Sequence, residues 1–307
     1  RDRSRRWVLA KRVSSGRRAW IQTTVSRTKN FTYRNSTNCC IEYRSVKMGR
    51  LQIKVLHLFL ILLSITVQKI EANPLDQAEA IFNRIENSLG TIECDGAIRG
   101  LVSKLLLPNN EQINGSIFVT AAHNLLNKKT DKQFEKCSIR MKNSRFNKID
   151  IDKISETKFQ SKDNAVVRAT NDFVFLYSSN EIPSSGIRFT EIEVNPINFF
   201  SIGYDAIDEK IIFYTPCKKI YSPVINEDGL LFHNCVSKSG NSGGALLDIE
   251  SGNLVAIHGG QFLITHTTKN RFLTKKTKKV SHAKMIDSSF ITSFETFLFS
   301  LMPVSYT

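Results

Sequence analysis

The sequence predicts an all-β domain with one helix before it and one after it. Short runs of β-branched and aromatic residues recur between Thr91 and about Val280, and turns rich in Gly, Asn, Asp and Pro separate them. No long helical pattern interrupts these runs. Amphipathic helical periodicity occurs before and after them, at 74–89 and at 281–302. Many short strands in succession are typical of a β-barrel or a β-sandwich.

The distribution of charge argues against a nucleic-acid-binding domain. The 307 residues carry 43 Lys and Arg against 28 Asp and Glu, a net charge of +15. Residues 1–47 hold +11 of this charge, and residues 48–307 hold only +4. A folded domain that binds polyanions carries its positive charge on its own surface. We therefore interpret 1–47 as a basic leader that is not part of the mature protein, and we expect no nucleic-acid partner.

Residues 48–72 have the organisation of a secretory signal peptide. Met48 begins a short basic segment, and an apolar run of 13 residues follows at 55–67. This run is shorter than the roughly 20 apolar residues that a membrane-spanning helix needs. Cleavage after Ala72 would leave a secreted, extracellular chain of charge +2 without a stable membrane anchor. The alternative is an uncleaved anchor that leaves 1–47 on the cytoplasmic side.

A helix is predicted at 73–89, directly after the signal peptide. Asn73 can cap it, Pro74 suits its first position, and Gly90 is expected to end it. Two interpretations stay open: a helix packed permanently on the domain, or a removable pro-segment.

The main domain is predicted at 90–307. Its β-rich runs are 97–107, 117–120, 173–177, 197–202, 211–214, 229–233, 244–247 and 254–258. A last helix is predicted over 281–302, with Ser281 as its cap, and its apolar stripe is expected to pack on the core. We interpret the basic run at 269–284 as a solvent-exposed loop. His233 is expected on a strand surface, and His282 near the start of the last helix.

Four cysteines follow the predicted signal peptide: Cys94, Cys137, Cys217 and Cys235. An even number of cysteines in an exported protein predicts two disulfides, and three pairings are possible. Their spacing, and the lack of a cluster with histidines, does not indicate a metal site, so no metal is expected.

Three segments carry residues that could act together in catalysis. The first, FVTAAH, ends in His123; the second, NDFVFL, places Asp172 before an apolar strand; the third, SGNSGG, places Ser242 among glycines. A serine hydroxyl is a weak nucleophile until a base removes its proton, and imidazole can do this near neutral pH. The glycines would let the backbone N–H groups of Gly240 and Ser242 converge on an oxyanion. Each segment alone is more often structural, but together they predict a nucleophilic hydrolase.

Asp172 has three rivals for the role of the acid that orients His123. These are Asp150, Asp152 and Asp163, all between the histidine and serine segments. None of the three introduces so clear an apolar strand, so Asp172 is the preferred assignment.

These segments resemble the histidine, aspartate and serine motifs of the chymotrypsin-like (trypsin-fold) serine endopeptidases, over about residues 90–300. TAAH and GNSGG in this order carry the resemblance, and NDFVFL adds to it. The resemblance implies two antiparallel six-stranded β-barrels with the active site between them, plus a C-terminal helix. It also implies that Ser242 attacks the peptide carbonyl, His123 transfers the proton and Asp172 orients His123. Gly240 and Ser242 would bind the oxyanion, an acyl-enzyme would form, and no cofactor would be needed.

Within that family the sequence is most similar to the glutamyl-endopeptidase branch. Asn241 stands where trypsins have Asp, Ala245 where they commonly have Pro, and Asn124 where they have Cys. The segment VAIHGG also resembles that branch. The same resemblance implies the disulfide pairs Cys94–Cys137 and Cys217–Cys235. In trypsins, activation releases a new N-terminus that forms a salt bridge with the Asp at this position. Because Asn241 carries no charge, this activation mechanism is expected to be absent.

The resemblance also bears on substrate preference. Val236 stands where trypsin has the Asp that binds Lys and Arg side chains, so cleavage after basic residues is disfavoured. In glutamyl endopeptidases a hydroxyl residue and a histidine bind the substrate carboxylate, and the matching positions are Ser237 and His258. Lys238 adds positive charge nearby. We therefore expect a preference for Glu or Asp before the scissile bond.

The sequence thus predicts a secreted, monomeric serine-type endopeptidase. Its expected partners are a protein or peptide substrate and a protein inhibitor. The alternative is a non-catalytic homologue of these proteases that acts as a binding protein. Such homologues usually lose a residue of the triad, whereas His123, Asp172 and Ser242 are all present.

Overall fold

The computed structural model describes residues 73–107, 113–127, 130, 132–142, 148–184, 186–191, 198–221, 229–269 and 273–302. The predicted leader and signal peptide lie outside these ranges. All described residues belong to one structural unit, Lys69–Thr307.

Strands dominate the described part of the chain. The helices are α1 (Pro74–Ile85), α2 (Ala165–Thr170) and α3 (Ser288–Phe299). The strands of the first half are β1 (Leu89–Cys94), β2 (Ala97–Lys104), β3 (Ser116–Thr120), β4 (Leu126–Asn127), β5 (Lys132–Gln133), β6 (Cys137–Met141), β7 (Ile149–Asp150), β8 (Lys153–Ile154) and β9 (Val174–Ser178). Those of the second half are β10 (Asn198–Asp205), β11 (Lys210–Lys218), β12 (Leu230–His233), β13 (Ala245–Asp248), β14 (Leu254–Lys269) and β15 (Leu273–Met285).

The first sheet is antiparallel and curls back on itself. Its strand order is β7-β6-β1-β2-β3-β9-β8. Strands β7 and β8 lie at opposite ends of this order, yet only two residues separate them in the sequence. The two edges must therefore come close together, as they do in a barrel. Apolar side chains such as Ile92, Phe118 and Leu176 fill the interior.

The second sheet is also antiparallel, with the order β11-β10-β13-β14-β15-β12. Its edges meet through a bridge between Lys219 and His233, with a hydrogen bond from Ile220 N–H to the Phe232 carbonyl (2.8 Å). The sheet therefore closes, and Phe199, Leu231 and Leu246 pack inside it.

The all-β prediction with a C-terminal helix is confirmed. The second sheet has six strands in the described part of the chain. The first sheet has seven within the described residues, because the two-residue strands β7 and β8 pair separately at its two edges. A further short pair, β4 with β5, stands apart from both sheets.

One aromatic cluster joins the two sheets to α3. Phe175 of β9 contacts Phe290, Phe294 and Phe297 of the helix, with ring centroids 5.0, 5.4 and 6.1 Å apart. Phe200 of the second sheet belongs to the same cluster. The expectation that the stripe of this helix packs on the core is confirmed.

The predicted start of the last helix is wrong. Residues Ser281–Met285 belong to β15, where Ser281 pairs with His233, and α3 begins at Ser288. The cap is Asp287, whose Oδ1 accepts a hydrogen bond from Phe290 N–H (3.0 Å). The loop predicted for the basic run is also wrong over 273–284, because β15 pairs with β14 there. Strand pairing decided both cases: with β12, about 50 residues away, in the first, and with the preceding strand β14 of the same hairpin in the second.

The predicted end of the first helix is wrong as well. Helix α1 ends at Ile85, a 3₁₀ turn follows, and Gly90 lies inside β1. A Cβ on Gly90 would lie 2.8 Å from the Arg140 carbonyl oxygen and 2.9 Å from Met141 Sδ. Close packing against β6, and not a helix stop, therefore explains this glycine.

Both disulfides are present, Cys94 with Cys137 between β1 and β6, and Cys217 with Cys235 between β11 and the segment after β12. Their sequence separations are 43 and 18 residues. In the chain-entropy model, loops of this length contribute about 3–4 kcal/mol each to folding. None of the helices formed by described residues is long and apolar enough to cross a membrane.

Candidate active site

His123 and Asp172 are brought together by the pairing of β3 with β9. Thr120 pairs with Val174, so the residues that follow β3 and those that precede β9 lie at the same edge of the sheet. His123 Nδ1 lies 2.7 Å from Asp172 Oδ2, and the His123 backbone N–H donates to Asp172 Oδ1 (3.0 Å). Asp172 is 4 % exposed. A buried carboxylate at this distance holds the ring proton on Nδ1 and leaves Nε2 as an acceptor.

The rival acids lie elsewhere. Asp150 is exposed in β7, and Asp152 accepts a hydrogen bond from Ser179 N–H (2.6 Å) through Oδ2. Among the described contacts, neither these two nor Asp163 reaches His123.

Ser242 lies in a tight turn between β12 and β13. Asn241 anchors this turn: its Oδ1 accepts from Tyr204 N–H (2.9 Å), and its Nδ2 donates to the Val236 carbonyl (3.3 Å). Asn241 is 1 % exposed, and both ends of its amide are satisfied. The turn needs left-handed backbone at Gly240 (φ 92°) and Gly243 (φ 81°), which glycine adopts without steric cost.

The backbone N–H groups of residues 240–243 differ in their hydrogen bonding. Two of them have an acceptor: Asn241 N–H donates to the Lys238 carbonyl (3.2 Å), and Gly243 N–H donates to the His258 carbonyl (2.8 Å). The N–H groups of Gly240 and Ser242 have no acceptor within the described part of the chain. Free donors at these two positions are what an oxyanion site requires.

His123, Asp172 and Ser242 line one cavity of about 840 Å³. Much of the remaining wall is formed by α2, by Phe159 and by the middle of β14 at 259–263. His123 and Asp172 come from the first sheet and Ser242 from the second, so the cavity lies where the two meet. The described contacts include no hydrogen bond between His123 and Ser242 Oγ. Such bonds are often long before a substrate binds.

Ser237 and His258 contact each other, but neither lines this cavity. Ser237 Oγ lies 2.8 Å from His258 Nε2, and His258 Nδ1 lies 3.2 Å from His233 Nε2. Ser237 is half-buried, whereas His258 is 2 % exposed. Burial, together with the neighbouring histidines, lowers the pKa of His258 well below its ordinary value of 6.5. His258 is therefore a neutral ring between a hydroxyl and a second histidine.

Two of the histidines lie elsewhere than predicted. His233 is fully buried, and burial, with some repulsion from His282, lowers its pKa to about 3. His282 lies in β15 and lines the cavity, stacked on Phe262 at 4.2 Å. Burial lowers its pKa to about 4, although the Asp172 carboxylate opposes that shift. The surface position predicted for His233 is wrong. The only signal in the sequence was its place at the end of the apolar run LLFH.

No group of His, Cys, Asp and Glu among the described residues is arranged to hold a metal ion. The cavity is lined by a histidine–carboxylate pair and a serine, and the turn that carries this serine has two free backbone donors. This set can transfer a proton, form a covalent bond through oxygen and stabilise a developing negative charge.

Comparison with known proteins identifies the fold. No protein-family model matches the chain, and no curated protein sequence matches it significantly. A solved structure of a Glu endopeptidase in complex with MPD is similar at a TM-score of 0.51 and 14 % identity, covering 70 % of this chain and 91 % of that one.

Two further structures are similar at lower scores. Neuropsin, a serine protease from mouse brain, has a TM-score of 0.48 and 13 % identity, with 68 % and 95 % of the two chains covered. The tobacco vein mottling virus protease has a TM-score of 0.43 and 12 % identity, with 69 % and 83 % covered. The Glu endopeptidase structure, at a TM-score of 0.51, and the two closed antiparallel sheets show that the chain has the chymotrypsin-like fold, and at 14 % identity the likeness concerns the fold alone.

Proposed function

We propose that this protein, which has the chymotrypsin-like fold, is a serine endopeptidase that acts through Ser242, His123 and Asp172. The observation that carries this proposal is the 2.7 Å contact between His123 Nδ1 and Asp172 Oδ2, at a cavity that Ser242 also lines. A neutral imidazole fixed in this way presents Nε2 to the cavity as a base.

The proposed reaction follows from these positions. His123 Nε2 takes the proton of Ser242 Oγ as this oxygen attacks the peptide carbonyl, and Asp172 stabilises the imidazolium. The carbonyl oxygen becomes an oxyanion and accepts hydrogen bonds from the free N–H groups of Gly240 and Ser242. His123 then returns its proton to the leaving amine. Water, activated in the same way, hydrolyses the acyl-enzyme and regenerates the Ser242 hydroxyl.

The test is peptide hydrolysis by the purified protein, with cleavage products identified by mass spectrometry. Ser242→Ala should reduce kcat by at least about a thousandfold, because the nucleophile is lost. Ser239→Ala is the matched control, since Ser239 is an exposed serine in the same loop, and it should cleave at the wild-type rate. Equal hydrolysis by wild type and Ser242→Ala would contradict the proposal. A folded but inactive wild type would instead favour the binding-protein alternative.

We further propose that the substrate residue before the scissile bond is Glu or Asp. The support is the Ser237–His258–His233 chain beside the serine turn, together with the exposed Lys238. A carboxylate can only accept hydrogen bonds. Binding it therefore requires the Ser237 hydroxyl to donate outward, and His258 must then carry its proton on Nε2 and donate to Ser237 Oγ. The exposed Val236 beside this group offers no charge for Lys or Arg.

Secretion is the third part of the proposal. The basic and apolar segments at 48–67 and the two disulfides support it, because disulfides persist in oxidising compartments. N-terminal sequencing of protein released by a secreting host should begin at Asn73. Released protein that begins at Met48 would contradict the signal peptide.

A further inference from the structure

Asn124, the residue after His123, is a buried polar group that the reaction above does not use. It lies in the 3₁₀ turn Ala122–Leu125 and is 2 % exposed. Its Nδ2 donates to Thr120 Oγ1 (3.0 Å) and to the carbonyl oxygen of Ser242 (3.0 Å). The second bond joins positions 118 residues apart, one in each sheet.

The Ser242 carbonyl is held by a second bond from the first sheet. Leu101 N–H of β2 donates to the same oxygen (2.7 Å), and Thr120 Oγ1 donates to the Leu101 carbonyl (2.6 Å). Leu101, Thr120 and Asn124 are thus linked to each other and, through Leu101 and Asn124, to the main chain of Ser242. All three are buried, so water does not compete for these bonds.

Two glycines leave the space that this linkage needs. A Cβ on Gly100 would collide with the Ser242 carbonyl oxygen and with Asn124 Nδ2. A Cβ on Gly243 would collide with the Leu101 carbonyl oxygen and lie 2.9 Å from Asn124 Nδ2. The backbone on both sides therefore approaches the amide as closely as it can.

The orientation of the amide is chemically required. The Ser242 carbonyl can only accept, so the NH₂ group must face it and Oδ1 must face away. Asn124 Oδ1 is buried and has no hydrogen-bond partner in the described part of the chain. A buried acceptor without a partner costs free energy. An apolar side chain would avoid that cost, which indicates a role for Asn124 other than stability alone.

We propose that Asn124 is a positioning residue that fixes the main chain of Ser242 relative to His123. This inference rests on the proposed function. Because Asn124 follows His123 directly, its bond to the Ser242 carbonyl sets the separation of base and nucleophile across the two sheets. A displacement of about 1 Å between reacting groups can reduce a rate about a hundredfold. The bond acts on the chemical step, so it affects kcat and leaves KM unchanged.

The test is Asn124→Leu, which keeps the branched shape and the number of side-chain heavy atoms and removes both the donor and the orphaned acceptor. The expected result is a loss of kcat of about 10- to 100-fold per folded molecule, with KM within twofold of wild type. Ser103→Ala is the matched control: Ser103 is equally buried, its hydroxyl is also without a partner, and it lies on β2 away from the cavity. Its kcat should equal that of wild type.

Asn124→Ala serves as a second variant if the Leu variant does not fold, with kcat measured per folded molecule. An Asn124 variant that is folded and keeps wild-type kcat would overturn the inference and leave the proposed function intact. A loss of kcat that is explained entirely by the unfolded fraction would show a structural role and would also overturn it. An inactive but folded wild type would overturn the proposed function, and this inference with it.

Discussion

His123 and His258 are held in opposite ways, and the difference decides what each can do. His123 has a carboxylate at Nδ1 and lines the cavity, so the proposed reaction uses it as the base. His258 lies between Ser237 and His233, and its lowered pKa keeps it neutral. A neutral ring fixed at both nitrogens can orient a hydroxyl but cannot shuttle protons to solvent.

Ser237→Ala is expected to weaken selection for an acidic residue before the scissile bond. The ratio of kcat/KM for matched Glu and Gln peptides should fall about 10-fold or more, because a charged group loses a hydrogen-bond donor. Parallel kinetics with the two peptides measure this ratio, and Ser239→Ala should leave it unchanged. An unaltered ratio in Ser237→Ala, or a wild-type profile dominated by Lys and Arg, would contradict the assignment of the pocket.

Single residues were predictable where short motifs carry them. TAAH, NDFVFL and GNSGG pointed to His123, Asp172 and Ser242, and the structure places the three at one cavity. The bonds of Asn124 and the contacts of His282 were not predictable. The Ser242 carbonyl that Asn124 binds is 118 residues away, and the Phe262 ring on which His282 stacks lies on another strand, so no local pattern reports these contacts.

Among the elements, α1 is integrated into the core. Ala78, Ile81, Phe82 and Ile85 are buried, and they belong to the cluster that contains Phe175 and α3. The Phe82 ring lies 5.1 Å from that of Phe213 in β11. A 3₁₀ turn leads directly from the helix into β1, which pairs on both sides. We propose that α1 is a permanent part of the domain and not a removable pro-segment.

Phe82→Ala should therefore destabilise the protein by about 3 kcal/mol or more, because it leaves a cavity in the core. Urea unfolding at constant pH measures this change. Leu75→Ala is the matched control on the same helix, since Leu75 is 49 % exposed, and it should change the unfolding free energy by less than about 0.5 kcal/mol. Equal stability of both variants would indicate that α1 is only loosely attached.

Element types were easier to predict than element ends. The apolar stripe that predicted the last helix is real from Phe290 onward, but the same stripe included Ala283 and Met285, which belong to β15. Those residues are drawn into a strand by pairing with β12 and β14. Local periodicity could not separate the two elements. The strand buries every second residue and the helix every third or fourth, and the two spacings run into each other at the boundary.

At the scale of the whole molecule, three histidines are buried among the residues that the structure describes, and these should make its stability depend on pH. In the folded state the pKa is about 3 for His233, about 4 for His282, and well below 6.5 for His258. In the unfolded chain each pKa returns to about 6.5. The folded state therefore binds fewer protons. Its stability is fully present above pH 6.5 and is lost as the pH falls toward 4.

His282→Gln should reduce this dependence on pH. The shift at His282 corresponds to roughly 3 kcal/mol between pH 7 and pH 4. Urea unfolding of wild type and variant at both pH values gives the difference. We expect the loss of stability on acidification to be smaller in the variant by about that amount. An identical loss in both proteins would mean that His282 is protonated or exposed in the folded state.

The two sheets each supply part of the proposed catalytic group, so activity depends on how the sheets meet. His123 and Asp172 lie at one end of the first sheet, Ser242 precedes β13 of the second, and the Asn124 and Leu101 bonds cross between them. The fold follows from the strand pattern, while the contact between the two sheets at the cavity depends on residues distant in sequence. The central claim is that this contact makes the Ser242 hydroxyl reactive.

Covalent labelling with a fluorophosphonate serine probe tests that claim most directly. Intact-mass spectrometry should show one phosphonyl group per molecule of wild type, and peptide mapping should place it on Ser242. His123→Ala should slow labelling by several orders of magnitude, because the base is lost. A folded wild-type protein that takes up no label, or that carries the label on another serine, would contradict the account.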